Sequence, residues 1–269
     1  MNKVILVLSD GLRYDTAAAS MGYLGHLVEA KLASLYKVTG ELPSLSRPMY
    51  ETIHTGLPSS MHGIVSNQVV RVSKEPNIFQ SAHEAGKLTA AAAYWWFSEL
   101  YNHAPFDPIE DREVDNESLA IQHGRFYTQD EFPDIELFAT AGMLVRRFNP
   151  DYLLAHPMGM DNTGETYGAD SSEYRNHATR QDRWLAPYLA EWMERGYHIL
   201  VTSDHGINAD GLHGGTTPDV REVPLYLIRC GATGNGDTHE VISQLQIAPT
   251  ICKLLGLEIP KTMKAAALI

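Results

Sequence analysis

Three apolar runs, each closed by an aspartate, limit what this chain can fold into. "VILVLSD" (4–10) ends at Asp10, "DYLLAHPMGMD" (151–161) leads to Asp161, and "HILVTSDHG" (198–206) reaches Asp204 and His205. A short apolar run without polar alternation fits a strand buried on both faces, as in a parallel sheet covered by helices. "LASLYKV" (32–38), "LTAAAAY" (88–94) and "VPLYLIRC" (223–230) read as further strands. Between them lie helical segments: "TAAASMGYLGHLVEA" (16–30), "NIFQSAHEAG" (77–86), "DIELFATAGMLVRRF" (134–148), a long amphipathic stretch over 171–196 with Pro187 as a kink point, and "QIAPTICKLLG" (246–256). Strands alternating with helices predict an α/β fold, a three-layer sandwich with a mainly parallel central sheet. Residues 1–269 are expected to form one domain. Residues 94–132, rich in aromatic, acidic and His residues but poor in periodicity, are expected as a cap-like excursion over the carboxyl edge.

The carboxyl ends of parallel strands converge on one edge, where α/β proteins bind ligands. An aspartate after one strand is commonly a turn former or a helix cap. Three of them, one followed by a histidine, point to a shared site. Two more candidates join. Glu165 lies four residues after Asp161, on the same face if "DNTGETYG" is helical. His213 sits in the Gly-rich loop "GLHGGTTPDVREVP" that follows the "SDHG" strand end. Carboxylates and imidazoles together bind divalent metals such as zinc or manganese, and six donors suit two ions better than one.

"ELPSLSRPMYETIHTGLPSSMHGI" (41–64) then acquires a use. A hydroxyl beside such ions loses its proton at neutral pH and becomes a nucleophile. Ser46 opens a helical run, where backbone N–H groups favour anions. It is equally suited to capping that helix, and Ser44 competes for the nucleophile's role.

The formal net charge of −12 argues against a nucleic-acid polymer as partner, though not against a small phosphate ester. Cys230 and Cys252 read as buried free thiols. The apolar run near the amino terminus is too short for a signal peptide, and no run approaches the ~20 apolar residues of a membrane span. The expectation is a cytoplasmic protein with no membrane partner.

In this order the segments "VILVLSDGLRYD", "PSLSRPMYETIHTGLPSSMHGI", "DNTGETYG", "SDHG", "LHGGTTPDVREVPL" and "IAPTICKLLGLEIP" resemble the alkaline phosphatase superfamily. The nucleotide pyrophosphatase/phosphodiesterase branch is the nearest in pattern, with phosphonoacetate hydrolase beside it. The resemblance implies an alkaline phosphatase-like fold and a two-metal hydrolase of small phosphate esters, with zinc as first choice and manganese as second. By position it implies that Asp10, Asp204 and His205 hold one metal, which Ser46 also touches. Asp161, Glu165 and His213 fall at the second metal, and Ser46 at the nucleophile of a covalent phospho-serine route. A diester is the first substrate class, a monoester or phosphonate the second; a non-catalytic metal- or phosphate-binding relative is the rival from another class.

Two departures stand out. The family usually has His where Glu165 stands. The branch pattern also has an Asn, binding a phosphate oxygen, where Met49 stands. Met cannot donate a hydrogen bond, so the backbone, the metals, Arg47 or Tyr50 would have to serve. A sulfatase pattern is disfavoured, because it matches at Pro48 but has arginine where Tyr50 stands.

Overall fold

The computed structural model describes residues 2–269. Its centre is a nine-stranded sheet: β1 (Val4–Leu8), β2 (Ser34–Thr39), β3 (Thr89–Tyr94), β4 (Glu113–Asp115), β5 (His123–Tyr127), β6 (Tyr152–Ala155), β7 (His198–Thr202), β8 (Glu222–Ile228) and β9 (Gly236–Ser243). The order across the sheet is β4-β5-β3-β6-β1-β7-β8-β2-β9. β1 pairs parallel with β6 and β7, β3 with β5 and β6, and β2 with β9. Only β4 and β8 run against their neighbours.

Two apolar cores sandwich this sheet. Ile5 and Val7 of β1 pack with one, together with Leu137, Phe138 and Trp192 from helices Asp134–Phe148 and Ser172–Glu194. Val4, Leu6 and Leu8 pack with the other, beside Ile53, Phe79 and Ile251 from helices Ser46–Thr55, Ile78–Glu84 and Ile247–Leu255. Every β1 side chain is therefore buried on one face or the other, which is why the run has no polar alternation. Each contributes roughly 1.5–3 kcal/mol of burial. The expected three-layer α/β architecture is the observed one.

The structure corrects several local expectations. The stretch 16–30 is two helices, Tyr14–Ser20 and Gly22–Glu29, broken at Met21. The buried Asp182 carboxylate causes the break: it accepts the backbone N–H groups of Tyr23 and Leu24 at 2.7 and 3.1 Å, capping the second helix from outside. Residues 94–132 are not simply an excursion. They form helix Trp96–Tyr101 and add β4 and β5 to the sheet, and from this stretch Tyr94, Trp96 and Asp130 line the cavity at the carboxyl edge. Helix Ser172–Glu194 continues through Pro187. Cys252 is buried as expected, but Cys230 is exposed, because it lies in the turn after β8. Among the described residues, no helix is long and apolar enough to cross a membrane.

Candidate metal centre and nucleophile

The loops that follow β1, β2, β6 and β7 leave the sheet at the same edge. They bring Asp10, Ser46, Asp161, Asp204 and His205 together, and the loop between β7 and β8 adds His213. Crowding at this edge demands glycine at position 11. Its φ is +70°, and a Cβ there would stand 2.8 Å from the Asp161 Cα.

Asp10, Asp204 and His205 are fully buried. His205 Nε2 lies 3.3 Å from Asp10 Oδ1, 3.3 Å from Asp204 Oδ2 and 3.1 Å from Ser46 Oγ. Its Nδ1 faces the Gly206 carbonyl at 3.1 Å. That partner assigns the proton to Nδ1 and leaves the Nε2 lone pair for the carboxylate side, the arrangement usual in metal-binding histidines. His213 repeats it: Nδ1 faces the Ser44 carbonyl at 3.1 Å, and Nε2 points towards Glu165 Oε1 at 3.1 Å and Asp161 Oδ1 at 4.0 Å. The two imidazoles stack 4.0 Å apart.

Three oxygens in this cluster, Asp10 Oδ1, Asp161 Oδ1 and Asp204 Oδ2, are buried with no hydrogen-bond partner. Bare buried carboxylate oxygens are costly unless something positive completes them. Burial and the neighbouring carboxylates push Asp161 and Asp204 well above the ordinary range. Asp10 is also raised by burial, but the His156 and Tyr50 hydrogen bonds and the charges of His205 and His156 outweigh that and hold it at about 2. Burial, then the charge of His213, drives His205 down to about 3. Buried carboxylates crowded this closely cannot all stay ionised without a counter-charge, and a divalent cation would supply it. Two groups of donors lie close enough together to share an ion: Asp10, Asp204 and His205, and Asp161, His205 and His213. Glu165 falls outside both. It is half-exposed and reaches the site through His213.

The two serines separate clearly. Ser46 is the first residue of helix Ser46–Thr55, whose cap position is Leu45, and its side chain turns to His205 instead of capping the helix. Ser44 donates its hydroxyl to the Gly215 carbonyl at 3.0 Å, and its own carbonyl holds His213. Ser44 thus ties the His213 loop down.

Ser46 opens into a cavity of about 140 Å³ lined also by Asn67, Tyr94, Trp96, Asp130, Met158, Asp161, Glu165 and His213. Neither Met49 nor Arg47 lines it. Met49 is wholly buried, and Arg47 is buried beside Glu99, 2.7 Å away as an ion pair, with its guanidinium 4.4 Å from the Trp96 ring centre. Tyr50 spends its hydroxyl on Asp10 Oδ2. Asp130 and Asn67 are polar lining groups that sequence reasoning missed, and it is Asn67 that lies next to the nucleophile's helix. Its carbonyl oxygen accepts the Arg47 backbone N–H at 3.1 Å, which leaves its NH2 as the free end beside Ser46. The only sequence signal was an asparagine three residues after "HGI", at the end of the segment that carries the nucleophile.

Known proteins bear on this site. The family described as type I phosphodiesterase / nucleotide pyrophosphatase matches residues 4–210. The catalytic subunit of human GPI ethanolamine phosphate transferase 3 is 24% identical over 286 residues, covering 96% of this chain and 25% of that protein. The 2,3-bisphosphoglycerate-independent phosphoglycerate mutase of Haloquadratum walsbyi is 30% identical over 185 residues, 64% of this chain and 36% of that protein. The chain spans about a quarter of the length of the first curated relatives it matches. Among solved structures, murine ectonucleotide pyrophosphatase / phosphodiesterase 5 in complex with AMP superposes with a TM-score of 0.74 at 16% identity, covering 96% of each chain. The phosphonate monoester hydrolase of Agrobacterium radiobacter gives 0.70 at 16% identity, covering 99% of this chain and 76% of that one. These likenesses establish an alkaline phosphatase-like fold.

Proposed function

The chain belongs to the type I phosphodiesterase / nucleotide pyrophosphatase family, and from that premise we propose that it is a metal-dependent phosphodiester hydrolase acting through Ser46. The observation that carries the reading is Ser46 Oγ at a helix start, 3.1 Å from His205 Nε2, beside three bare buried carboxylate oxygens. Two divalent ions, zinc or manganese, held by Asp10, Asp204 and His205 on one side and by Asp161 and His213 on the other, with Glu165 joining them if its carboxylate turns from His213 to the ion, would supply the Lewis acidity that deprotonates the serine and later a water.

The chain's own residues do the rest. Ser46 Oγ bonds to phosphorus as the bond to the leaving alcohol breaks in line, giving phospho-Ser46; water then cleaves the phosphoserine and restores the hydroxyl. Asn67 NH2 donates to a non-bridging oxygen. Among the described residues, Asp130, Asp161 and Glu165 line the cavity and no Lys or Arg does. A singly charged diester suits that lining better than a dianionic monoester. Tyr94 and Trp96 offer aromatic surface for the diester's substituent, and the carboxylates favour a substituent that is neutral or cationic. The relatives named as ethanolamine phosphate transferases are in keeping with an amino-alcohol substituent.

The test is a panel of bis-p-nitrophenyl phosphate, p-nitrophenyl phosphate, a phosphonate monoester and a sulfate, run on protein loaded with zinc or with manganese. The diester should turn over fastest. Ser46→Ala should lose about three or more orders of magnitude while keeping its metal, and Ser44→Ala should stay folded and active. A fully metal-loaded protein that turns over none of the four, or Ser46→Ala with unchanged rates, would sink the reading.

A further inference from the structure

We propose that Tyr50 and His156 are positioning residues that make Asp10 a one-oxygen ligand and so set which divalent ion its site accepts. The inference rests on the metal-dependent reading above.

Asp10 Oδ2 accepts a short hydrogen bond from the Tyr50 hydroxyl and faces His156 Nε2 at 3.2 Å. Two donors thus occupy that oxygen. Oδ1 has no hydrogen-bond partner and faces the His205 side of the cluster. One carboxylate therefore presents one free oxygen.

Neither donor is free to swing away. Tyr50 sits one helical turn after Ser46, so the helix that presents the hydroxyl also grips Asp10. Its ring stacks on Phe97 with centroids 4.3 Å apart and meets the His156 ring edge-on at 4.9 Å. His156 leaves β6 and is held in turn by Tyr127 at the end of β5. The Tyr127 hydroxyl donates to the His156 carbonyl at 2.7 Å and lies 3.2 Å from its Nδ1. Tyr50 and His156 are wholly buried, and Tyr127 nearly so.

A fixed monodentate carboxylate has a chemical consequence. Zinc is satisfied by about four ligands, whereas calcium gathers roughly six to eight oxygens and often takes a carboxylate by both. Holding Oδ2 away therefore favours the smaller ions at the Asp10 site and disfavours calcium. Releasing it would let Asp10 bind through both oxygens.

Isothermal titration of zinc, manganese and calcium into metal-stripped protein reads this directly, with circular dichroism and melting as the check on folding. Tyr50→Phe removes only the hydroxyl. It should weaken zinc and manganese at the Asp10 site by about 10- to 100-fold, the usual cost of losing such a support, and raise the calcium-to-zinc affinity ratio. His156→Gln keeps an N–H donor and should fall between wild type and His156→Ala. Should His156→Ala fail to fold, Tyr127→Phe loosens the same ring by removing one hydroxyl and should shift affinities in the same direction. Tyr152→Phe is the control. It deletes a buried hydroxyl bonded to His54 at 3.1 Å, and should leave all three affinities unchanged. Folded Tyr50→Phe with wild-type affinity for all three ions would overturn the proposal. Wild-type protein that binds neither zinc nor manganese would instead overturn the metal-dependent reading, and this inference with it.

Discussion

Glu51 gives the molecule a pH dependence that can be isolated by one substitution. It lies on the helix that begins at Ser46 and is wholly buried. Its carboxyl accepts the Ser73 hydroxyl and, at 3.1 Å, the Tyr101 hydroxyl. Burial outweighs both bonds and lifts its pKa from 4.5 to about 7. The folded state therefore holds a proton that the unfolded chain releases, and stability falls as pH rises through that interval. The stability linked to this proton is intact below about pH 4.5 and gone above about pH 7. A shift of about 2.5 units at roughly 1.4 kcal/mol per unit amounts to about 3 kcal/mol. Glu51→Gln keeps the shape and removes the titration. Tyr101 can then favour the Tyr50 carbonyl, already 3.2 Å from its hydroxyl. Urea unfolding of both proteins, with equal metal content and at several pH values between 4.5 and 8, reads the difference. The variant should gain on wild type by about 3 kcal/mol across the series. A stability difference that stays flat with pH would refute the reasoning.

Two further outcomes follow from the cavity. Asn67→Ala should cut turnover of bis-p-nitrophenyl phosphate by about 10²–10³-fold with little change in metal content, as loss of one preorganised donor does; an unchanged rate would remove Asn67 from the site. Glu165→His should move the pH–rate profile towards acid and shift preference towards zinc if the side chain binds metal, since replacing a carboxylate with neutral imidazole makes the ion a stronger Lewis acid. Unchanged profile, preference and metal content together would leave Glu165 as a partner of His213 only.

Much of this was legible in the residues because the strongest signals are local. β1, β3, β6 and β7 are buried on both faces and read as unbroken apolar runs. Helices ended where glycine permits positive φ, as at Gly196 and Gly256. β9 escaped notice because its middle residues, Thr238 to Val241, are partly or fully exposed, so it carries no apolar run. β4 has three residues, too few for any periodicity. The break at Met21 was invisible because its cause, Asp182, lies 159 residues from Tyr23. At the site, acids after buried strands revealed Asp10, Asp161 and Asp204, since topology alone brings such positions together. Asn67 carried no comparable signal. Its place beside Ser46 depends on the fold of the whole loop after helix Ser59–His62 and on one bond to the Arg47 backbone. Tyr127 and His156 were equally hidden, because their partnership joins two strands that are not even sheet neighbours.

The reversal of β8 has a consequence for how such a molecule can change. Because β8 runs against β7, the nineteen residues between Thr202 and Glu222 leave and re-enter the sheet at one edge, as the tip of a long hairpin. Asp204, His205 and His213 all ride on that tip. Its two ends are pinned by Thr202 pairing with Leu225 and by Glu222 pairing with Thr39. Extra chain inserted beyond His213 would bulge outward above the cavity without disturbing strand order or core, and each doubling of its length would cost only about 0.6 kcal/mol in closure entropy. The hairpin tip can thus lengthen while the sheet and the two cores beneath it stay as they are.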